Sequence, residues 1–440
     1  MITASDYGAL AIVVLGVVCG LAVAVFAVSR QRLLVGAVWW AATQNLVVPL
    51  LWRLHVLNHR TAIACLTLSE CLCALCVIQA LLQCLKDRVF RIGAVDYLFA
   101  CFSWIVLLRV GFSAPHVPVL VRLQAARPLL TPVLYYAAGR TVAWSRSLLS
   151  AMVLPSVVAA VAGCVSFLMF GNHVWDWLQI GRYWIDVKGM PASFLQNGLP
   201  GNFFSHTGPR MATTYGDPLA TGYALAIGTG FLLVTRWRQR PIWMLAVMCG
   251  AAAIALSGTR AGIVILGAAL VTVGFTDSSR WVRRASWLAV VGAIGVMFKK
   301  LAASISGQSG SLAMHLVELR SNFLHVPWLI GTGVGTAGAW SGTYAAISGV
   351  GDSAFFETLA QVGVAGAALF TAATLVIVVT NIRRRTVVNK VLGALMLASL
   401  ASAFISAQLL SDTSCALLWI GAGTLMASGT DGPERRREWA

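Results

Sequence analysis

Apolar runs of membrane-spanning length recur throughout this 440-residue chain and constrain its fold more than any other feature. A helix needs about 20 mostly apolar residues to cross the hydrocarbon core of a bilayer. Runs close to that length lie at 7–28, 33–52, 61–84, 96–114, 118–138, 148–170, 217–235, 241–257, 261–275, 286–298, 354–380, 391–410 and 415–428. They predict an all-α bundle of about 12–13 transmembrane spans, forming one integral membrane domain over residues 1–440.

The composition supports a lipid solvent and argues against nucleic acid as a partner. Hydrophobic residues make up 58% of the chain and charged residues 11%, whereas a soluble domain carries roughly 25% charged residues. The net charge of +17 would suit a nucleic-acid-binding surface in a soluble protein. Here the basic residues stand in short clusters between apolar runs, as the positive-inside rule expects. We therefore expect membrane lipid around the protein and no nucleic acid.

Lysines and arginines are concentrated in alternate loops, which predicts the orientation of the chain. The basic loops contain Arg30 and Arg32; Lys86, Arg88 and Arg91; Arg140 and Arg146; Arg236, Arg238 and Arg240; Arg280, Arg283 and Arg284; Arg383, Arg384, Arg385 and Lys390; and Arg435, Arg436 and Arg437. Because loops of this kind stay in the cytoplasm, two long loops at 171–216 and 299–353 are predicted on the periplasmic face of a bacterial inner membrane. An odd number of spans would place the N-terminus outside, and an even number inside.

Cysteine and histidine positions do not predict a metal site. Cys71, Cys73 and Cys76 fall in an apolar run, where residues two apart point to different sides of a helix and no histidine accompanies them. Four histidines stand in the long loops without paired ligand spacing: His173, His206, His315 and His325. We expect the cysteines to be small buried hydrophobic residues and the histidines to be surface residues. We expect no metal and no cofactor.

Two arginines border spans at the predicted outer face, one at the end of the first long loop and one in a short turn. Arg210 stands in Gly208-Pro-Arg-Met-Ala-Thr-Thr-Tyr-Gly-Asp-Pro218, and Arg260 in the short turn Ser257-Gly-Thr-Arg-Ala-Gly262. An arginine at a membrane rim suits phosphate or carboxylate, although it can also snorkel to lipid headgroups or tie down a helix C-terminus. Lipid exposure of Arg260 would cost a few kcal/mol, so its side chain should face a cavity or a partner.

The second long loop contributes a further arginine, a glycine run and two acids. Arg320 precedes a Gly-x-Gly-x-Gly stretch at 331–335, which lacks the strand–turn–helix context of a nucleotide site. We interpret this stretch as a flexible turn that lets the backbone approach a ligand. Asp352 stands at the rim of the next span, where it can act chemically, cap the helix, or do both. Glu357 lies deeper in that span and should face the interior.

The charged residues predicted on the outer face suit an anionic group held at the membrane surface. Three arginines stand there with two acids: Arg210, Arg260 and Arg320 with Asp217 and Asp352. A pyrophosphate is one such group, and the aromatic residues of the first long loop would suit sugar rings. Three more arginines, Arg109, Arg122 and Arg127, fall inside predicted spans. Intramembrane arginines are functional by default, but these can instead mark the limits of poorly defined spans.

Three segments resemble the O-antigen ligase and polymerase superfamily, integral membrane glycosyltransferases that use undecaprenyl-pyrophosphate-linked glycans. The first is Arg-Met-Ala-Thr-Thr-Tyr-Gly-Asp-Pro at 210–218, and the second is Leu-Ser-Gly-Thr-Arg-Ala-Gly at 256–262. The third is Arg320, the glycine run, and Asp352-Ser-Ala-Phe-Phe-Glu-Thr-Leu-Ala-Gln-Val-Gly-Val-Ala-Gly366. The resemblance covers about 200 to 380, with the segments in the family's order.

The resemblance implies a metal-independent, inverting membrane glycosyltransferase without a cofactor. Arg210, Arg260 and Asp352 would be catalytic, the arginines holding the donor pyrophosphate and Asp352 orienting or deprotonating the acceptor hydroxyl. The predicted substrate-binding residues are Arg320, Arg182, Tyr215, Asp217 and Glu357. A flippase and a chain-length regulator are the protein partners that the family implies.

Three functions remain open at this stage. Family ligases that transfer O-antigen to lipid A-core carry a histidine where this chain has Asp352, so we favour a polymerase of surface polysaccharide or exopolysaccharide. A ligase would need another histidine, such as His325, in that place. A transporter or flippase would show broken helices near the membrane midplane and internal pseudo-symmetry, and Glu70 and Glu357 are the acids to consider at that depth.

Overall fold

The chain folds into a bundle of α-helices. The computed structural model describes residues 28–87, 92–112, 116–190, 192–205, 208–235, 242–277, 280, 283–284, 286–288, 290–292, 295, 324, 327–338 and 353–428. Its fourteen described α-helices are α1 (Arg30–Arg53), α2 (His59–Leu66), α3 (Leu68–Asp87), α4 (Ala94–Phe112), α5 (Val119–Arg140), α6 (Arg146–Phe170), α7 (His173–Trp177), α8 (Ile180–Asp186), α9 (Pro218–Leu232), α10 (Ile242–Ser257), α11 (Arg260–Thr276), α12 (Ala354–Arg383), α13 (Val387–Ser402) and α14 (Ala416–Ser428).

Many of these helices have the length or the apolar character of membrane spans. Five are long and apolar enough to cross a bilayer, namely α1, α3, α4, α6 and α12, and five shorter ones, α9, α10, α11, α13 and α14, are also apolar. The prediction of an all-α polytopic bundle is confirmed. The predicted run 7–28 lies outside the described residues, and 286–298 is described only in part.

The bundle has two chemically different ends. At one, which we call the basic end, Arg30 at the start of α1 donates to Gln83 near the end of α3 at 2.7 Å. There Arg140, the last residue of α5, also pairs with Asp96 of α4 at 3.1 Å. The opposite end, which we call the loop-rich end, carries the segment between α6 and α9. Polar chemistry is concentrated at the loop-rich end.

Close helix contacts depend on residues without side chains. A Cβ on Gly139 of α5 would lie 2.3 Å from the carbonyl oxygen of Ile420 in α14, and one on Gly423 would lie 2.2 Å from that of Tyr136. These two helices can therefore approach backbone to backbone, as small residues allow within membranes. The contact anchors α14, and with it the polar segment 403–415 that precedes this helix at the loop-rich end.

Two predicted runs have different helix boundaries in the structure. The run 61–84 is divided at Thr67, whose hydroxyl donates to the Ala64 carbonyl at 2.8 Å, into α2 and α3. The run 391–410 was predicted too long, because α13 ends at Ser402 and a 3-10 helix follows at Ala407–Leu410. Side chains of small polar residues bond nearby backbone there and compete with the helix; the Ser406 hydroxyl accepts from the Gln408 amide at 3.3 Å.

Helix α12 is broken at Gly363, which has φ 74° and ψ −179°, a conformation open to glycine alone. The described segment 327–338 supplies partners to the broken turn. The Val364 amide donates to the Trp328 carbonyl at 2.8 Å, and the Thr332 amide donates to the Ala360 carbonyl at 2.6 Å. The glycine run was expected to approach a ligand. Its observed close approach is to α12, since a Cβ on Gly331 would lie 2.6 Å from the Ala360 oxygen.

The segment between α6 and α9 is folded and has a small core of its own. It contains α7, α8, two 3-10 helices at Ala192–Phe194 and Gly201–Phe203, and two hairpins, β1 (Leu195–Gln196) with β2 (Leu199–Pro200) and β3 (Phe204–Ser205) with β4 (Gly208–Pro209). Tyr183 is fully buried there, and its ring meets the Trp52 ring of α1 edge-on at 5.8 Å. This core fixes the segment over the ends of α1 and α2, which positions its polar residues.

Candidate functional site

Arg210 links the folded loop to the turn between α10 and α11. It follows β4, and its amide donates to the Phe203 carbonyl at 2.8 Å. Its Nε donates to the Ser257 carbonyl at 2.7 Å, and its two terminal nitrogens donate to the Asn202 carbonyl and the Thr259 hydroxyl, both at 3.3 Å. The next residue, Met211, donates from its amide to the Leu256 carbonyl at 3.1 Å. The structure thus brings together two segments that sequence analysis had singled out separately.

Arg260 begins α11 directly beside this contact. Gly258, in the same turn, has φ +67°, and a Cβ there would lie 3.3 Å from the Nε of Arg210. Burial lowers the pKa of the Arg210 guanidinium, Asp217 raises it, and the positive charge of Arg260 lowers it. Two cationic groups therefore share one corner of the loop-rich end.

Asp217 is the N-cap of α9. Its carboxylate accepts from the amides of Leu219 at 3.1 Å and Ala220 at 3.3 Å, and from the side-chain amide of Asn202. Burial raises the pKa of the Asp217 carboxyl, and the two backbone hydrogen bonds together with the charges of Arg210 and Lys188 oppose that rise. The hydrogen bonds that it accepts suit a residue that positions its neighbours.

A cavity of about 260 Å³ opens on the other side of Asp217. Its walls come from α1, the end of α2, α5, α8 and the residues that follow it, the start of α9 and the residues that precede it, and the segment 403–415. The charged and amide residues that line it are Gln44, Asn45, Arg127, Lys188, Asp217, Gln408 and Asp412. The Asn202 side chain donates to Asp217 and its carbonyl accepts from Arg210, so a short hydrogen-bonded path joins this cavity to the Arg210 corner.

Arg127 closes one wall of the cavity and is held by two carboxylates. It pairs with Glu70 of α3 at 2.8 Å and with Asp412 at 2.7 Å, and it donates to the Leu66 carbonyl at 2.7 Å. Between them Glu70 and Asp412 surround its guanidinium with negative charge. The three residues tie α3, α5 and the segment before α14 together at the loop-rich end.

Lys188 enters the cavity from the folded loop. Its ammonium donates to the Asn45 side-chain oxygen at 3.4 Å and lies 4.7 Å from the centre of the Trp184 ring, a cation–π distance. Burial lowers the pKa of the Lys188 ammonium, and the charges of Asp412 and Asp217 oppose the change. The net effect is a lowered pKa for a lysine that lies beside two carboxylates.

The remaining predicted site residues have different surroundings. Tyr215 lines the cavity with its body, but its hydroxyl is 3.2 Å from the Ser156 hydroxyl in a buried contact. Arg182 lies on the exposed side of α8, with its side chain 72% exposed and paired with Asp186 at 3.3 Å. The structure does not bring Arg182 to the cavity or to Arg210.

Glu357 is buried in α12, as expected for an acid inside a span, and it is only 5% exposed. Its carboxylate accepts from the Gln361 side chain at 3.2 Å and lies against Gly338. Arg320 and Asp352 lie outside the described residues, as do His206 and His325. The N-cap of α12 is Ser353, whose hydroxyl accepts from the Phe356 amide at 3.2 Å. The capping role considered for Asp352 therefore belongs to its neighbour.

Most residues that line the cavity were not predicted as site residues from the sequence. Arg127 and Glu70 had been noted only as charges inside predicted spans, and such charges are the signal that could have identified them. Gln44 also lies inside a predicted span, 33–52, but it carries no charge. Lys188 and Asp412 lie between predicted spans, where charged residues are common and carry no such signal. Within the described ranges, no three His, Cys, Asp or Glu side chains are grouped to hold a metal ion.

Fold and site together define an all-α, polytopic helical membrane protein with a charged site at one end of its bundle. The chain matches no protein-family model and no curated protein.

Proposed function

We propose that the protein polymerises undecaprenyl-pyrophosphate-linked oligosaccharide repeat units into surface polysaccharide or exopolysaccharide. The observation that supports this most is the contact of Arg210 with Ser257 and Thr259, which brings it close enough to Arg260 for that charge to lower the Arg210 pKa. The hydrogen-bond partners of Arg210 among the described residues are two carbonyls and a hydroxyl. A guanidinium with uncharged partners keeps its positive charge available for a phosphate group.

In the proposed reaction, Arg210 and Arg260, with Arg320, hold the pyrophosphate of the donor lipid. A hydroxyl of the acceptor glycan attacks the anomeric carbon of the donor sugar from the opposite face. The new glycosidic C–O bond forms as the bond between that carbon and the phosphate oxygen breaks, with inversion. Asp352 takes the hydroxyl proton, and the arginines stabilise the negative charge on the departing undecaprenyl pyrophosphate. The arginines serve here in place of a metal ion.

The proposed setting is a bacterial inner membrane with the basic end in the cytoplasm. The arginine-rich loops at that end support this orientation by the positive-inside rule. The loop-rich end then faces the periplasm, where a flippase would deliver lipid-linked repeat units and a chain-length regulator would set the product length. Both partners follow from the family resemblance.

A transporter or flippase is the second candidate, and the break in α12 at Gly363 is the feature that favours it. However, backbone groups at the break are already hydrogen-bonded to the segment 327–338, through the Val364 amide to the Trp328 carbonyl and the Thr332 amide to the Ala360 carbonyl. Broken helices of transporters instead direct their free ends at a substrate. The O-antigen ligase is the third candidate and differs from the polymerase only in its acceptor, lipid A-core.

The experiment is electrophoresis of the polysaccharide from cells in which the only copy of the protein carries Arg260→Ala or Arg210→Ala. The matched control is Arg182→Ala, an exposed arginine of the same loop, and membrane levels of every variant are measured in parallel. Loss of long chains with survival of single repeat units, at normal protein level, supports a polymerase. Long chains that stay on the lipid carrier and never reach lipid A-core indicate the ligase. An unchanged glycan in both variants contradicts a glycosyltransferase and favours the second candidate, a transporter.

A further inference from the structure

The cavity beside Asp217 has the size and wall chemistry of a small-ligand site. Its volume of about 260 Å³ lies just under the roughly 300–1,000 Å³ of typical small-molecule pockets, so it suits one small ring more than an extended chain. Hydroxyl groups of Ser411 and Thr413 join the amides and charged groups in its walls. Such a lining recognises a molecule rich in hydrogen-bonding groups.

Gln44 supplies a buried acceptor that lacks a partner among the described residues. Its side chain is only 1% exposed, and its Nε2 donates to the Asp412 carboxylate at 3.2 Å, while its Oε1 accepts no hydrogen bond. The orientation of the amide follows from that contact, because the opposite orientation would set an oxygen against a carboxylate. A buried acceptor without a donor costs about 1–3 kcal/mol, which a hydroxyl placed in the cavity would recover.

Lys188 and Asp412 provide matching groups on the facing walls. The Lys188 ammonium has three N–H donors, and its one described hydrogen bond is the long contact to Asn45 at 3.4 Å. One oxygen of Asp412 accepts from Arg127 and Gln44, and the other remains able to accept. The cavity therefore offers both donors and acceptors, which fits hydroxyls, since each hydroxyl both donates and accepts.

The charge of the cavity excludes a phosphate as its occupant. Its lining contains two cations, Arg127 and Lys188, and two carboxylates, Asp217 and Asp412. Arg127 is already neutralised by its pairs with Asp412 and with Glu70, a third carboxylate behind the wall. A pyrophosphate would meet carboxylates at close range, whereas an uncharged polyol meets no such repulsion.

We propose that this cavity binds one neutral sugar ring of the lipid-linked glycan, with Gln44 and Asp412 accepting hydrogen bonds from its hydroxyls and Lys188 donating hydrogen bonds to its oxygens. The inference rests on the proposed function. The short path from Asp217 through Asn202 to Arg210 sets the sugar beside the pyrophosphate corner. The cavity therefore selects the glycan, and the Arg210 corner holds the leaving group.

The experiment is saturation-transfer NMR on the full chain in lipid nanodiscs, with neutral methyl hexosides and methyl N-acetylhexosaminides as probes. A single ring has few atoms to contribute binding energy, so millimolar affinity is expected. Binding of inorganic pyrophosphate is followed by phosphorus NMR on the same samples. The variants are Gln44→Leu and Lys188→Met, one in a helix and one in the folded loop, so that a folding defect in either leaves the other to decide. The matched control is Arg182→Met.

We expect at least one neutral glycoside to bind the wild type and the Arg182→Met control equally. It should bind about tenfold more weakly to Gln44→Leu and to Lys188→Met, the loss of roughly one hydrogen bond. Pyrophosphate binding should be unchanged in both variants and weakened by Arg210→Ala. Equal glycoside binding to all proteins, no glycoside binding at all, or loss of pyrophosphate binding in Gln44→Leu would overturn the sugar site. Pyrophosphate binding that is insensitive to Arg210→Ala would instead count against the proposed function, and the glycoside result would be unaffected.

Discussion

Arg210 and Arg127 lie at the same end of the bundle, on opposite sides of Asp217, and their partners differ in charge. Arg127 forms ion pairs with Glu70 at 2.8 Å and Asp412 at 2.7 Å. Arg210 donates to two carbonyls and a hydroxyl. The charge of Asp217 raises the Arg210 pKa, but the structure shows no direct ion pair between these two described residues. The two carboxylates neutralise the positive charge of Arg127. The uncharged partners of Arg210 hold its side chain in place without neutralising its charge.

The difference separates an arginine that holds the fold from one that can hold a ligand. Paired carboxylates compete with any anion for Arg127, so its contribution is to join α3, α5 and the segment before α14. Neutral partners fix the direction of the Arg210 side chain without cancelling its charge, which is the arrangement that preorganised electrostatic stabilisation requires.

The largest effect is expected from Arg127→Met. The change leaves Glu70 and Asp412 as neighbouring carboxylates without their cation, and Glu70 is only 9% exposed. Breaking a buried pair costs roughly 3–5 kcal/mol, and we expect about 3 kcal/mol, since the Arg127 side chain keeps 23% exposure. Thermal unfolding in lipid or detergent measures the loss.

Arg140→Met is the matched control for that measurement. Arg140 pairs with Asp96 at the basic end, with side-chain exposures of 15% and 24%. Without Arg140, Asp96 still accepts from the Gly93 amide at 2.7 Å and is more exposed than Glu70, so the destabilisation should be smaller. A larger effect of Arg140→Met than of Arg127→Met would show that the paired acids do not make Arg127 a structural residue.

The fold was far easier to predict from the sequence than this division of roles. A membrane helix must be apolar along its own length, so each span has a local signature, and α6 or α12 could be located directly. Arg127 and Asp412 form an ion pair across 285 residues of sequence, and no local pattern predicts that contact. Arg210 and the turn at 257–260 were recognisable separately, but only the fold shows that they are hydrogen-bonded.

The second prediction concerns Arg210→Lys, which keeps the charge and removes the planar fork. Lysine cannot reproduce three donors in fixed directions toward Ser257, Asn202 and Thr259. Loss of one positioned donor to a developing anion costs roughly a hundredfold or more in rate. We expect polymerisation by purified protein to fall about a hundredfold, with the glycoside affinity of the cavity unchanged. A fall of less than threefold would show that charge alone suffices and that the fork has no role.

The third prediction concerns Asp217, which stands between the two arginines. Asp217→Ala removes the N-cap of α9 and should lower the free energy of unfolding by about 1 kcal/mol. Asp217→Asn keeps a capping oxygen and should lower it by only about 0.3 kcal/mol. The pKa of Asp217 is raised above its ordinary value by burial, so the folded state binds its proton more readily than the unfolded chain does. Its contribution to stability therefore declines as pH rises from the ordinary carboxyl pKa through the raised one.

Asp217→Asn should flatten that part of the pH profile. Unfolding midpoints of the wild type and Asp217→Asn, measured across the weakly acidic range, provide the comparison. An unchanged slope in Asp217→Asn would assign the pH dependence to another group.

The smallest effect is expected at Arg182, the arginine that the sequence placed in the substrate site and the structure places on the surface. Its side chain is 72% exposed and its partner Asp186 is 44% exposed, and an exposed pair four residues apart contributes only about 0.3–0.5 kcal/mol. Arg182→Ala should therefore leave chain length, glycoside binding and pyrophosphate binding at wild-type values, and lower the unfolding midpoint by an amount near the limit of measurement. Arg182→Ala could instead shorten the polysaccharide as strongly as Arg210→Lys. In that case proximity to Arg210 would not distinguish the ligand-binding arginines, and the glycan would also have to contact the exposed face of α8.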